Sequence, residues 1–140
     1  MSKYANEEMT GDIGGTFVLA PAGNHLGVCI GVVELGTIDH DFEGHVSRKR
    51  QVKIYWELSK TKNEKDNDKP FIVSREFLFS MHSNANLRKM LNAWFAIKMT
   101  DEQAEKFSLV SLLGCEGMIN VAIKKSKNNK EYNDIMGLSP

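Results

Sequence analysis

The chain has 140 residues, 18 Lys and Arg against 18 Asp and Glu, and 41% hydrophobic residues. That length builds one compact domain with a sizeable core and leaves no room for two. No apolar run approaches the roughly 20 residues that span a bilayer, and MSKYANEEMT has neither a basic nor an apolar leader region, which predicts a soluble protein made in the cytosol. The formal net charge of zero hides a polarity. Residues 1–43 hold one basic residue, Lys3, against seven acidic ones, a net of −6, so the remainder carries +6. Cys29 and Cys115 form no CxxC pair, which predicts two reduced core thiols rather than a zinc site or a disulfide frame.

Residues 1–15 are polar and acidic and end in Gly-Asp-Ile-Gly-Gly, the pattern of a flexible leader, and 16–140 form the single domain. Thr16 to Ala22 can pack as a short extended piece. The first strand is His25 to Leu35, where Val28, Ile30 and Val32 alternate with Cys29, Gly31 and Val33. Both faces are apolar, which places it centrally, and Gly27 and Gly31 permit the bending of a small barrel. From Gly36 to Lys49 the chain reads as a long polar connection whose sign flips from acidic (Asp39, Asp41, Glu43) to basic (Arg48, Lys49, Arg50) across Gly44.

The second strand runs from Gln51 to Leu58. Val52, Ile54, Trp56 and Leu58 share a core face, and Gln51, Lys53, Tyr55 and Glu57 share a face for solvent or ligand. Ser59 to Lys69 is a polar loop. The third strand runs from Phe71 to about Met81, with Phe77, Phe79 and Met81 on one face and Ser74, Glu76, Leu78 and Ser80 on the other. Arg75 lies in phase with that apolar set, so a bulge turns it out or it snorkels at the sheet rim.

The period then changes to that of a helix. Leu87, Met90, Leu91, Trp94 and Phe95 form one face, Arg88, Lys89 and Asn92 the wet side, with Ser83 or Asn84 as cap. Thr100-Asp-Glu-Gln103 matches a capping box, so a short second helix begins near Asp101, breaks around Ser108 and ends at Gly114. Cys115 to Lys125 returns to strand alternation, with Gly117, Ile119, Val121 and Ile123 on one face. KKSKNNK, residues 124–130, is a basic turn, and Glu131 to Met136 forms a fifth strand. Trp56 and Trp94 both fall in phase with apolar neighbours and belong to the core.

Three strands, a helical segment and two more strands give a mainly β chain in the order of the five-stranded Greek-key barrel called the OB-fold, with helices between strands three and four. At residue level, CIGVVELG (29–36), KIYWEL (53–58), VSREF (73–77), NLRKML (86–91) with Trp94, and SLVSLLG (108–114) resemble a group of small proteins of tailed bacteriophages and prophages. These are similar to OB-fold single-strand DNA-binding proteins of phage replication and recombination, and the likeness covers roughly residues 25–137. It implies a chain that binds single-stranded DNA without sequence preference in the cytoplasm of a bacterial host. Single-stranded RNA, replication or recombination proteins and further copies of the chain are additional partners, and no membrane is involved. Members often recruit partners through an acidic C-terminal tail. This sequence ends Gly137-Leu-Ser-Pro140, so three alternatives stand open: no tail recruits partners, the acidic N-terminal segment substitutes for it, or the sequence is a truncated piece.

OB-fold ligands lie across strands two and three, between the loops joining strands one to two and four to five. The sequence turns basic at those places: Arg48, Lys49, Arg50, Lys53, Lys60 and Lys62 stand against Glu57 alone, and Lys124, Lys125, Lys127 and Lys130 fill the last loop. Single-strand binding combines such cations with aromatic faces for the bases. Tyr55, Phe42 and Tyr132 are the candidate stackers, and Arg75 is either a phosphate contact or a structural ion pair with Glu76 or Glu57. His40, His45 and their neighbouring carboxylates match no metal-ligand frame, and no nucleophile, Walker or GxGxxG motif occurs, so no enzyme, metal or cofactor is expected. The competing reading is an OB-fold protein-interaction module that docks on a phage or host protein through the acidic leader and the Phe42 loop.

Overall fold

The computed structural model describes residues 18–63 and 68–140, with Ile38, His40, Asp41, Phe42, Val46, Ser47, Lys60 and Lys62 as backbone only. The described residues form a mainly β protein: β1 (Gly23–Phe42), β2 (His45–Asn63), β3 (Lys69–Leu78), helices α1 (Asn86–Phe95) and α2 (Asp101–Lys106), a 3-10 turn (Leu109–Leu112), β4 (Glu116–Lys125) and β5 (Glu131–Ser139). The strands make one antiparallel sheet in the order β3-β2-β1-β4-β5, so the strand with two apolar faces is the central one. The leader, residues 1–15, lies outside the described residues, as do Thr16 and Phe17 of the extended piece.

β1 bends and pairs with a different neighbour along each part of its length. Its first part, Gly23 to Val28, pairs with β4, while Gly27 onward pairs with β2. Register shifts at Ile30 and Leu35 insert an extra residue each, the device that curves a strand and raises its twist. The first shift also breaks the expected alternation: Cys29 sits opposite Trp56 and Val32 opposite Ile54, so these two share the core side at a spacing of three. Gly27 stands where β1 contacts both neighbours, and a Cβ there would collide with the Ile119 side chain and lie 3.2 Å from the Glu57 carbonyl.

The segment after Gly36 corrects the expected polar connection. It continues β1, turns at Glu43-Gly44 and returns as β2, pairing Thr37 with Arg50 through to Phe42 with His45. Both turn residues have positive φ, 51° and 81°, the two-residue hairpin turn whose twist matches the flanking strands. The acidic-to-basic flip is thus a cross-strand complementarity: Arg48 pairs with Asp39 and Arg50 with Glu34.

The core is built from Val52, Ile54, Trp56 and Leu58 of β2, all fully buried, with Val73, Phe77, Ile119, Val121 and Ile135 from the other strands. α1 covers it with Leu87, Met90, Leu91 and Trp94. Trp56 and Trp94, both fully buried, meet edge-on with ring centroids 5.8 Å apart, and Trp94 Nε1 donates to the Glu116 carbonyl at 2.9 Å. The glycine at 117 is what allows this approach, since a Cβ there would strike the Trp94 indole.

Two expectations about the helices need correction. α1 is capped by Ala85 without a side-chain hydrogen bond, not by Ser83 or Asn84. Arg88, expected on the wet side, is buried and donates to the Met81 and Met99 carbonyls and to Asp101 Oδ1, while Asn92 Oδ1 accepts from Met99 N–H. The segment 97–100 folds back over that face of α1 and brings its own carbonyls with it. The capping box of α2 is present in both directions, Thr100 Oγ1 accepting from Gln103 N–H and Gln103 Oε1 from Thr100 N–H.

Candidate nucleic-acid interface

Arg48, Lys49 and Arg50 stand at the end of β1 by the β1–β2 turn, whereas Lys60 and Lys62 lie past Leu58, which pairs with Gly27, toward the opposite end, where the basic segment 124–130 also lies. The β1–β2 turn follows Phe42, whereas β4 passes Gly23 at Val121 and runs on to the β4–β5 turn beyond it. Asn133 of β5 holds the chain there: its Oδ1 accepts from Ala20 N–H and its Nδ2 donates to Ala20 C=O, each at 2.9 Å.

Most expected cations at the first end already have company. Arg48 Nε lies 3.3 Å from Asp39 Oδ1, both side chains well exposed, so this pair contributes little to stability and much to neutralisation. Arg50 pairs with Glu34, and its guanidinium sits 4.6 Å from the Phe79 ring centroid. Lys49 is exposed and stands opposite Ile38. The side chains of Phe42, Lys60 and Lys62 lie outside the described residues.

The strand face between the two ends differs from a cationic groove. Lys53 stands opposite Glu76 in the β2–β3 register, and its Nζ lies 5.2 Å from the Tyr55 ring centroid. Tyr55 is only 3% exposed, so it offers no open ring face for a base. Its sequence phase is right for the outer side, but phase cannot tell whether that side is covered. No register shift falls at Arg75, so no bulge turns it out, and the residue is half-buried. Its Nη1 donates to the Ile135 carbonyl of β5 at 3.0 Å rather than pairing with Glu76 or Glu57, and the guanidinium lies 5.0 Å from the Phe77 ring centroid.

The far end is where cations and an aromatic ring are open together. Lys125, Lys127, Lys130 and Tyr132 are exposed, with Tyr132 at 43%. The turn is held by Ser126 N–H donating to Lys130 C=O and Asn129 N–H to Ser126 C=O, with Asn129 at φ 61°. Lys124 stands opposite Tyr132 and binds Asp134 Oδ2 at 2.7 Å, a hydrogen bond that raises its pKa above the ordinary lysine value. Ile123, which alternation puts on the face of the buried Ile119 and Val121, is 41% exposed beside this cluster, and Met136 of β5 is 53% exposed. The core ends at Val121 because β1 supplies no partner beyond Gly23. Only the stretch of β4 that outruns β1 carries this signal, and strand alternation alone does not show where the neighbour stops.

Both cysteines are free thiols, and they are neighbours rather than strangers. Cys29 N–H donates to Cys115 C=O at 2.9 Å and Gly114 N–H to Cys29 C=O at 2.8 Å, a bulge made possible by Gly114 at φ 85°. Burial pushes the Cys29 thiol up to about 11, with smaller effects from the Gly31 carbonyl and Cys115. No helix of the described residues is long and apolar enough to cross a membrane. Compared with protein-family models, with curated proteins and with solved structures, the chain has no significant match, so its function is read from its own geometry.

Proposed function

We propose that this chain binds single-stranded DNA without sequence preference, as an OB-type Greek-key barrel serving replication or recombination of a tailed phage in the cytoplasm of its bacterial host. The observation that carries the reading is the connectivity: order β3-β2-β1-β4-β5, with the helices between β3 and β4 in the chain and Arg75 reaching from β3 to β5. An OB barrel closes by bringing those two outer strands together. The exposed lysines around Tyr132 supply the phosphate and base contacts that sequence-tolerant binding needs, which moves the weight of the site from Tyr55 to the β4–β5 turn.

Fluorescence-polarisation titration of labelled single-stranded DNA, single-stranded RNA and duplex DNA at two ionic strengths tests this. Single-stranded DNA should bind most tightly, with affinity falling as salt rises through counterion release. Absence of salt-sensitive binding to any strand would remove the proposal. A second reading, a protein-interaction module, is favoured by the apolar surface of the helical segment, where Ile97, Val110 and Leu113 are 48%, 68% and 43% exposed. A partner retained on the protein after nuclease treatment would favour it.

A further inference from the structure

Beyond Gly36 the β1–β2 ladder leaves the rest of the sheet. β4 pairs with β1 only over 23–28, and β3 pairs with β2 only from Gln51 onward, with Phe79 N–H donating to Arg50 C=O as the bond next to that border. Residues 37–42 and 45–50 therefore form a two-stranded ribbon of six cross-strand pairs. Among the described residues no strand pairs with the outer edge of 37–42 or of 45–49. A two-residue turn closes on a hydrogen-bonded pair, Phe42 with His45, and the alternation that follows directs the backbone groups of Thr37, Asp39 and Asp41 outward on one edge and those of Val46, Arg48 and Arg50 on the other. The Arg50 carbonyl, which faces β3, has the phase this requires.

A lone ribbon is marginal in water, and its open edges are templates for a further strand. Charge decides which strand. Residues 37–42 carry Asp39 and Asp41 and no Lys or Arg, while 45–50 carry Arg48, Lys49 and Arg50 and no carboxylate; the Arg48–Asp39 and Arg50–Glu34 pairs within one copy are solvent-exposed and weak, so their charges still act on a neighbouring copy. Two-fold pairing sets each edge against itself, two acids against two acids or three cations against three cations, which is unfavourable. Setting the acidic edge of one copy beside the basic edge of the next joins opposite charges, and such a head-to-tail contact leaves one unused edge of each kind at the ends of a row, to which further copies add.

We propose that the hairpin 37–50 is a self-association arm, in which the acidic β1 edge of one copy adds to the basic β2 edge of a second copy and builds an open row of molecules. The inference stands on register and charge and does not depend on the DNA-binding reading. Where both hold, the row aligns copies along one strand and makes binding cooperative.

Sedimentation velocity of the full chain without DNA, over a range of concentrations at low and high salt, tests it. Mass should grow past a dimer without a plateau at low salt and return to monomer at high salt. Asp39→Lys with Asp41→Lys makes both edges basic, and Arg48→Glu with Lys49→Glu and Arg50→Glu makes both acidic. Each variant alone should be monomeric, and an equimolar mixture should associate again. Because those changes also remove the Arg48–Asp39 pair within the hairpin, Thr37→Pro supplies a charge-neutral check. It deletes one outward N–H, leaves the hairpin's own bonds, and should weaken association up to about tenfold, the worth of one backbone hydrogen bond. A monomer at every concentration in low salt, a dimer that stops growing, or wild-type association in Thr37→Pro would each overturn the proposal.

Discussion

The guanidinium of Arg75 on β3 reaches the backbone carbonyl of Ile135 on β5, Nη1 to O 3.0 Å, and so joins the two outermost strands of the sheet. A half-buried arginine in phase with core residues is tolerable because its stem packs by Phe77 while its charged end meets an oxygen. Arg75→Ala should cost about 2 kcal/mol in urea denaturation, the range of a hydrogen bond from a charged donor. Arg75→Met, which keeps the apolar stem, should recover part of that.

Arg88 and Asp101 form an ion pair with unequal ends, their side chains 8% and 92% exposed. The arginine also serves the Met81 and Met99 carbonyls, so it ties the start and the end of the α1 region together. Removing it leaves buried carbonyls without a donor, and Arg88→Ala should cost about 3 kcal/mol or more. Asp101→Asn should cost under about 1 kcal/mol, because solvent screens the exposed carboxylate. Equal losses in chemical denaturation would contradict this division.

Tyr55 and Tyr132 should separate stability from binding. Tyr55 is buried, and Tyr55→Ala should lower stability by about 3 kcal/mol, as for large aromatic truncations. Tyr132→Ala should leave stability within about 0.5 kcal/mol and weaken single-stranded DNA binding by about 1–3 kcal/mol, the worth of one stacked base. Polarisation titrations beside thermal melts read both quantities.

Cys29 makes stability fall at alkaline pH. Its thiol is held neutral in the folded chain up to about 11, against an ordinary value of 9.0. Below pH 9 both states keep the proton and the full stability is present. Between pH 9 and 11 the unfolded chain alone ionises, and stability should drop by about 2–3 kcal/mol, at about 1.4 kcal/mol per unit. Cys29→Ala should lack that decline in urea titrations compared over pH 8–11, since other titrating groups are shared by both proteins.

The periodic elements are legible in the residues alone: the strand Val52 to Leu58, the apolar face of α1, the Thr100 to Gln103 box, and the burial of both tryptophans. Those features are local, because alternation, helical spacing and capping bonds join residues only a few positions apart. Long-range packing sets which polar groups find a partner from elsewhere in the chain. Arg88 reads as solvent-facing until residues 97–101 fold over it, and Tyr55 reads as an open ring until its outer side proves to be buried. Ile123 shares a strand face with the buried Ile119 and Val121, yet it is exposed where β1 stops short of it. The charge layout shows the same division. Composition shows −6 up to Glu43 and +6 after it, but the hairpin register turns part of that opposition into Asp39–Arg48 and Glu34–Arg50 pairs. Coulombic attraction follows distance in space, and strand pairing, not sequence separation, sets that distance.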